Sequence, residues 1–154
     1  MDSSRRFHYK SLGELTAAAS ARGCDLPADE DVSILGEPAS FGRLTVPNRL
    51  VCQPMEGCDA RPDGSPGELT LRKYLRFAAG GAGMIWFEAC AVAADARSSA
   101  RQLCLHEGNV GAFAETVRRT KAAGAEAAGH EPICVLQMTH SGRYRRLAGK
   151  PAPV

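Results

Sequence analysis

No apolar run in this 154-residue chain approaches the ~20 positions that a bilayer-crossing helix needs. Nor does the N-terminal MDSSRRFHYK carry an apolar stretch behind its arginines, so neither a membrane span nor a leader is expected, and a cytoplasmic location is. Charge of one sign is also missing: 19 basic against 17 acidic residues leave a net +2, no field that would recruit nucleic acid or an anionic membrane. The cysteines Cys24, Cys52, Cys58, Cys90, Cys104 and Cys134 contain no C-x-x-C pair, which argues against a zinc knuckle, a redox dithiol or an iron–sulfur ligand set, and no metal site is expected. Cys52, Cys90 and Cys134 sit in apolar runs and read as free buried thiols; Cys58, after a strand end, is the one that invites a functional reading.

What is present, at 44% hydrophobic and 23% charged residues, fits one globular domain or a piece of a larger one. SLGELTAAASARG, with Ser11 and Glu14 as a capping box and Gly23 as its stop, predicts a short helix over 12–22; a polar linker to residue 34 follows. ASFGRLTVPNRL alternates around Gly42-Arg43 as a small hairpin does. LVCQPM is the first buried strand, closed by Pro54. A helix in SPGELTLRKYLRFAAGG is capped by Ser65 with Glu68 and stopped at Gly80-Gly81. AGMIWFEACAV lacks the alternation of a half-solvated strand, so it reads as a parallel strand covered on both faces, interrupted by Glu88. A second helix runs from the cap Asn109 to Gly124, AEAAGHEP connects, and ICVLQM is a third buried strand.

The order β-α-β-α-β predicts a parallel sheet with right-handed crossovers, either doubly wound or a (β/α)8 barrel. In both, chemistry sits at the carboxyl ends of strands. Here those ends are Pro54-Met55-Glu56, Glu88-Ala89 and Gln137 through Arg143. A dinucleotide-binding Rossmann turn would place G-x-G-x-x-G directly after the first strand; EGCDARPDGSPGE is long and lacks it. A Schiff-base barrel needs a strand-end lysine, yet Lys73 and Lys121 fall on the helices.

Three segments in order, VPNRLVCQPMEG, RFAAGGAGMIWFEACAV and LQMTHSGR, resemble strand-end motifs of the old yellow enzyme, or NADH:flavin oxidoreductase, family. The resemblance covers about residues 35 to 153 and implies the TIM-barrel, (β/α)8, FMN-binding fold of an α/β protein. It implies that 35–154 are the N-terminal portion of that barrel, with its hairpin and first three βα units, while residues 1–34 are expected to form an N-terminal helix and linker.

The same resemblance implies an FMN-dependent oxidoreductase, with NAD(P)H as hydride donor and a small-molecule substrate. Pro54, Met55 and Glu56 would lie along the flavin ring, Ala89 would leave room for it, and Gln137 would pair with its pyrimidine edge; catalytic residues remain unassigned. A side-chain amide offers one donor group and one acceptor, which suits carbonyls flanking an N–H. Glu56 departs from the small residue, Thr or Cys common there in the family; its carboxylate would disfavour an anionic reduced flavin, unless it turns into solvent or pairs with Arg61. Glu88 is expected in an internal ion pair or hydrogen bond rather than in acid–base work, His140 as a structural residue, and Arg143 at the barrel mouth or near a ligand.

Three strands and two helices are less than half of a barrel of ~250 residues. The family's substrate-gripping histidine, its basic residue near flavin N1 and its phosphate loops would all come later. An incomplete chain is therefore expected, inactive alone, marginally stable and prone to associate, with homo-oligomerisation left open. The alternative is a truncated, non-catalytic barrel fragment that binds no flavin. Whether a parent protein carries an iron–sulfur cluster, as dienoyl-CoA reductase types do, is not legible in this stretch.

Overall fold

The structure is a computed structural model that describes residues 8–146 and 148–153. The MDSSRRF portion of the N-terminus lies outside those residues. The chain divides into two compact units between Ile34 and Leu35.

The first unit contains α1 (Leu12–Ser20). Ser11 caps it by accepting from the Glu14 N–H at 3.2 Å, and the Glu14 carboxylate reaches back to the Lys10 N–H at 2.9 Å. Gly23, at φ 70, ends the following turn in the left-handed region that glycine adopts freely. Nothing on α1 is buried.

The second unit opens with β1 (Ala39–Phe41) and β2 (Leu44–Val46), paired antiparallel around the predicted Gly42 turn. Asn48 ties the following chain to the start of the main sheet. Its amide donates to Gly81 O at 2.7 Å, and its oxygen accepts from the N–H groups of Leu50 and Gly83. The main sheet is parallel: β3 (Val51–Cys52) and β6 (Ile133–Thr139) flank β4 (Met84–Ala91). β5 (Leu103–Cys104), which the sequence pattern did not announce, pairs with the Cys90-Ala91 end of β4. The first strand is shorter than expected, because Gln53 to Glu56 leave the ladder after Cys52.

One face of this sheet is covered by α2 (Glu68–Ala79) and α3 (Val110–Ala128), which pack on each other. Tyr74, Ala78, Ala82, Ile85 and Phe87 form the core there, joined by Phe77, Val117 and Cys134. The rings of Tyr74 and Phe87 stack with centroids 4.0 Å apart. A smaller cluster of Ala60, Cys90, Leu103 and Phe113 lies toward the carboxyl end. The opposite face is uncovered among the described residues: Trp86 on the central strand keeps 40% of its surface exposed. The expectation that β4 is covered on both faces is thus corrected for its amino half. Its outer face has helices; among the described residues its other face is open at Trp86, whereas beyond the bulge Ala89 and Ala91 are buried against the loop that follows.

Two helix boundaries also differ from expectation. Ser65 does not cap α2; it accepts no helix N–H and instead bonds Asp63 through both its N–H and its hydroxyl. Gly67 takes the cap position, and its N–H is satisfied by the Thr70 hydroxyl at 3.2 Å. α3 runs through Gly124 and ends at Gly129, whose φ of 75 makes the left-handed stop. Gly124 is needed for a close approach instead: a Cβ there would lie 2.7 Å from Pro132 Cδ and 2.9 Å from His130 O.

Candidate functional site

All three principal strands point the same way, so their carboxyl ends share one edge of the sheet. The ladder pairs Phe87 with Leu136 and Cys90 with Met138, leaving one extra residue in β4 as a bulge. Ala89 and Gln137 both fall in the interval between those pairs. Cys134 packs on the helix-side core, so alternation along β6 sends Val135 and Gln137 to the uncovered face. Gln137 is half-buried, and its amide makes no hydrogen bond to any described residue.

The Pro54–Glu56 segment leaves β3 at the same edge. Met55 is largely exposed. Glu56 does not pair with Arg61. Its carboxylate is turned toward the loop after β4, accepting from the Ser98 hydroxyl and from the Gln102 amide, both at 3.3 Å. Partial burial raises its pKa above the ordinary carboxyl value, the charge of Glu88 adds to this, and the two hydrogen bonds oppose it. Gln102 itself is buried and makes a second donation to Ala89 O at 3.2 Å, so one amide joins the ends of the first and second strands.

That loop is stapled by Arg97, 9% exposed, whose guanidinium has main-chain carbonyls for partners: Gln102 O at 2.8 Å and 3.1 Å, Pro62 O at 3.0 Å, and Ala100 O. Arg101 adds a bond to Cys58 O at 2.8 Å. The loop also reaches the third strand end, since Ser141 N donates to Ala96 O and Arg146 N to Ser98 O. Sequence reasoning missed Arg97, Ser98 and Gln102.

Glu88 occupies the bulge and is 1% exposed. As the sequence reading expected, it is held internally. Lys73 Nζ lies 2.6 Å from Oε1, the Tyr74 hydroxyl donates to the same oxygen at 3.1 Å, and the Gly57 N–H donates to Oε2 at 2.8 Å. The Tyr74 hydroxyl in turn accepts the Glu88 N–H at 2.8 Å. Burial pushes the Tyr74 pKa well up, which keeps that hydroxyl a donor. His140 is exposed and accepts from Gly142 N through Nδ1 at 3.0 Å, a local structural bond. Arg143 stacks over the Tyr144 ring at 4.8 Å and bonds its hydroxyl. No cluster of metal-ligating side chains occurs among the described residues. No helix among them is long and apolar enough to cross a membrane.

Solved structures share this arrangement. Morphinone reductase superposes with a TM-score of 0.62 at 26% identity, over 73% of this chain and 28% of that one. The resemblance to the old yellow enzyme family holds in three dimensions. The old yellow enzyme from Trypanosoma cruzi gives a TM-score of 0.57 at 27% identity, with the same coverage of 73% and 28%. A 2-naphthoyl-CoA reductase in complex with 2-naphthoyl-CoA, at 19% identity and a TM-score of 0.62, over 73% of this chain and 16% of that one, shows the fold alone. The chain thus spans under a third of the length of these old yellow enzyme relatives. Morphinone reductase has also been solved with tetrahydroNAD bound. No protein-family model and no curated protein matches the sequence. The unclosed parallel sheet with helices on one face agrees with part of an old yellow enzyme barrel.

Proposed function

We propose that this chain is the N-terminal portion, with the first three βα units, of an FMN-dependent oxidoreductase barrel, and that its strand ends contribute to the flavin seat. The observation that carries this is Gln137: a half-buried amide with no protein partner, at the carboxyl edge of a parallel sheet, on the face left open. Its amide is not sealed from solvent, so it is free to exchange water for the complementary edge of a ring. FMN, when bound, would supply two-electron chemistry between a nicotinamide donor, NAD(P)H, and an electron-poor small molecule.

Each residue's part follows from its chemistry. Gln137 offers an N–H donor and a carbonyl acceptor to a ring edge that presents both complements. Ala89 is buried, with its carbonyl accepting from Gln102, and its part would be to keep side-chain bulk beyond Cβ out of the seat. Pro54 and Met55 offer main chain and an exposed, adaptable thioether. Glu56 is held aside by Ser98 and Gln102, so its charge acts on the seat from the side instead of filling it.

The test is reconstitution with FMN. Saturable quenching of flavin fluorescence by the 154-residue chain, weakened about tenfold by Gln137→Leu, is expected; one hydrogen-bonded pair is of that size. A chain that leaves the fluorescence unchanged supports the second reading, a non-catalytic module without flavin.

A further inference from the structure

Glu88 and Lys73 form the only ion pair among the described residues in which one partner is almost wholly buried. A buried pair of this kind is a weak source of stability, because desolvation offsets most of the attraction. Its arrangement has a direction that stability does not require. Oε1 takes the ammonium and the phenol, and Oε2 faces away from both and accepts the Gly57 N–H at 2.8 Å. Lys73 Nζ also lies 3.5 Å from Met55 O. The main chain on both sides of Glu56 is therefore held by one charged knot rooted in α2 and in the β4 bulge. Gly57 fits because it has no Cβ: one would lie 2.7 Å from Asp59 Oδ2 and 2.9 Å from Lys73 Nζ.

We propose that Glu88, braced by Lys73 and Tyr74, is the positioning residue that sets the Met55–Gly57 main chain against the ring seat. The proposal rests on the flavin reading above. Glu88 does not touch the seat; it acts through the Gly57 N–H and, by way of Lys73, through Met55 O. The bulge makes this reach available, because the extra residue in β4 takes Glu88 out of the ladder's regular alternation.

The test uses the full chain with and without FMN, in wild type, Glu88→Gln, Lys73→Met and Lys73→Arg. Two quantities are read: hydrogen exchange at the Gly57 amide, and the affinity and absorption band shape of added FMN. In wild type the Gly57 amide is protected. Lys73→Met speeds its exchange about tenfold or more and weakens FMN binding by a similar factor with a changed band shape, and Lys73→Arg restores both. Glu88→Gln keeps an acceptor for Gly57 but loses the ion pair, so it falls between the two. An unprotected Gly57 in wild type, or unchanged exchange in both Lys73→Met and Glu88→Gln, overturns the proposal whatever FMN does. Faster exchange with unaltered FMN affinity and spectrum also overturns it, leaving the knot a structural feature. A wild-type chain with a protected Gly57 that binds no FMN overturns the flavin reading, and the positioning role falls with it. If Lys73→Met fails to fold, Tyr74→Phe, which removes one donor to the Glu88 carboxylate and the acceptor of the Glu88 N–H while keeping the ring, is read in its place.

Discussion

Glu56 is the residue whose environment departs most from what its neighbours in sequence suggest. Its raised pKa means that the folded chain binds a proton more readily than the unfolded chain does. Between the two values the native state holds more protons, so stability falls as pH rises through the range just above the ordinary carboxyl value of 4.5. Glu56→Gln is expected to flatten that slope, and urea midpoints measured across the range check it. The cysteines make a second residue-scale case. Burial pushes the Cys90 thiol up to about 11, and Cys104 is likewise raised by burial, whereas Cys24 and Cys58 are exposed. At neutral pH, alkylation followed by mass spectrometry is expected to mark Cys24 and Cys58 first and to reach Cys90 and Cys104 only in denaturant. The run around Cys90 revealed its burial in the sequence. Cys104 was not legible, because its burial comes from a two-residue strand that pairs only with the far end of β4.

At the scale of elements, periodicity located both core helices and the central strand, since an apolar stripe and a continuous apolar run record burial directly. Ends were harder where tertiary contact decides. Gly124 reads as a helix stop, yet α3 passes through it because Pro132 packs where a side chain would be. Gly124→Ala, which raises intrinsic helix propensity, is therefore expected to destabilise the chain by about 1–3 kcal/mol, the size of an overpacked core site. A chemical-denaturation midpoint moving upward would contradict this. The loop from Val92 to Gln102 gave little sign of its role. Its Arg97 finds carbonyl partners from two loops, an arrangement set by the fold and not by spacing.

For the molecule as a whole, the uncovered face and the free edge of β6 are the dominant physical facts. On the uncovered face Trp86 and Val51 keep 40% and 52% of their surface exposed, and on the helix side of edge strand β6 Leu136 and Met138 keep 37% and 48%. Apolar groups and unpaired strand edges in this arrangement favour association. Sedimentation of the chain is expected to show concentration-dependent self-association at micromolar levels, and a monomer with a sharp cooperative melt would argue against an open sheet. The parallel order was legible from the sequence, as was the family resemblance that singles out Gln137. The loop chemistry that orients Glu56 and the knot beneath Gly57 were not, because both depend on contacts between segments far apart in the chain.

The most direct test of the account is amide-resolved hydrogen exchange of the 154-residue chain with excess FMN. Protection gained together at 55–56 and 137–140 is the predicted result. Protection at the amino ends of the same strands, or none at all, would contradict a flavin seat at the carboxyl edge.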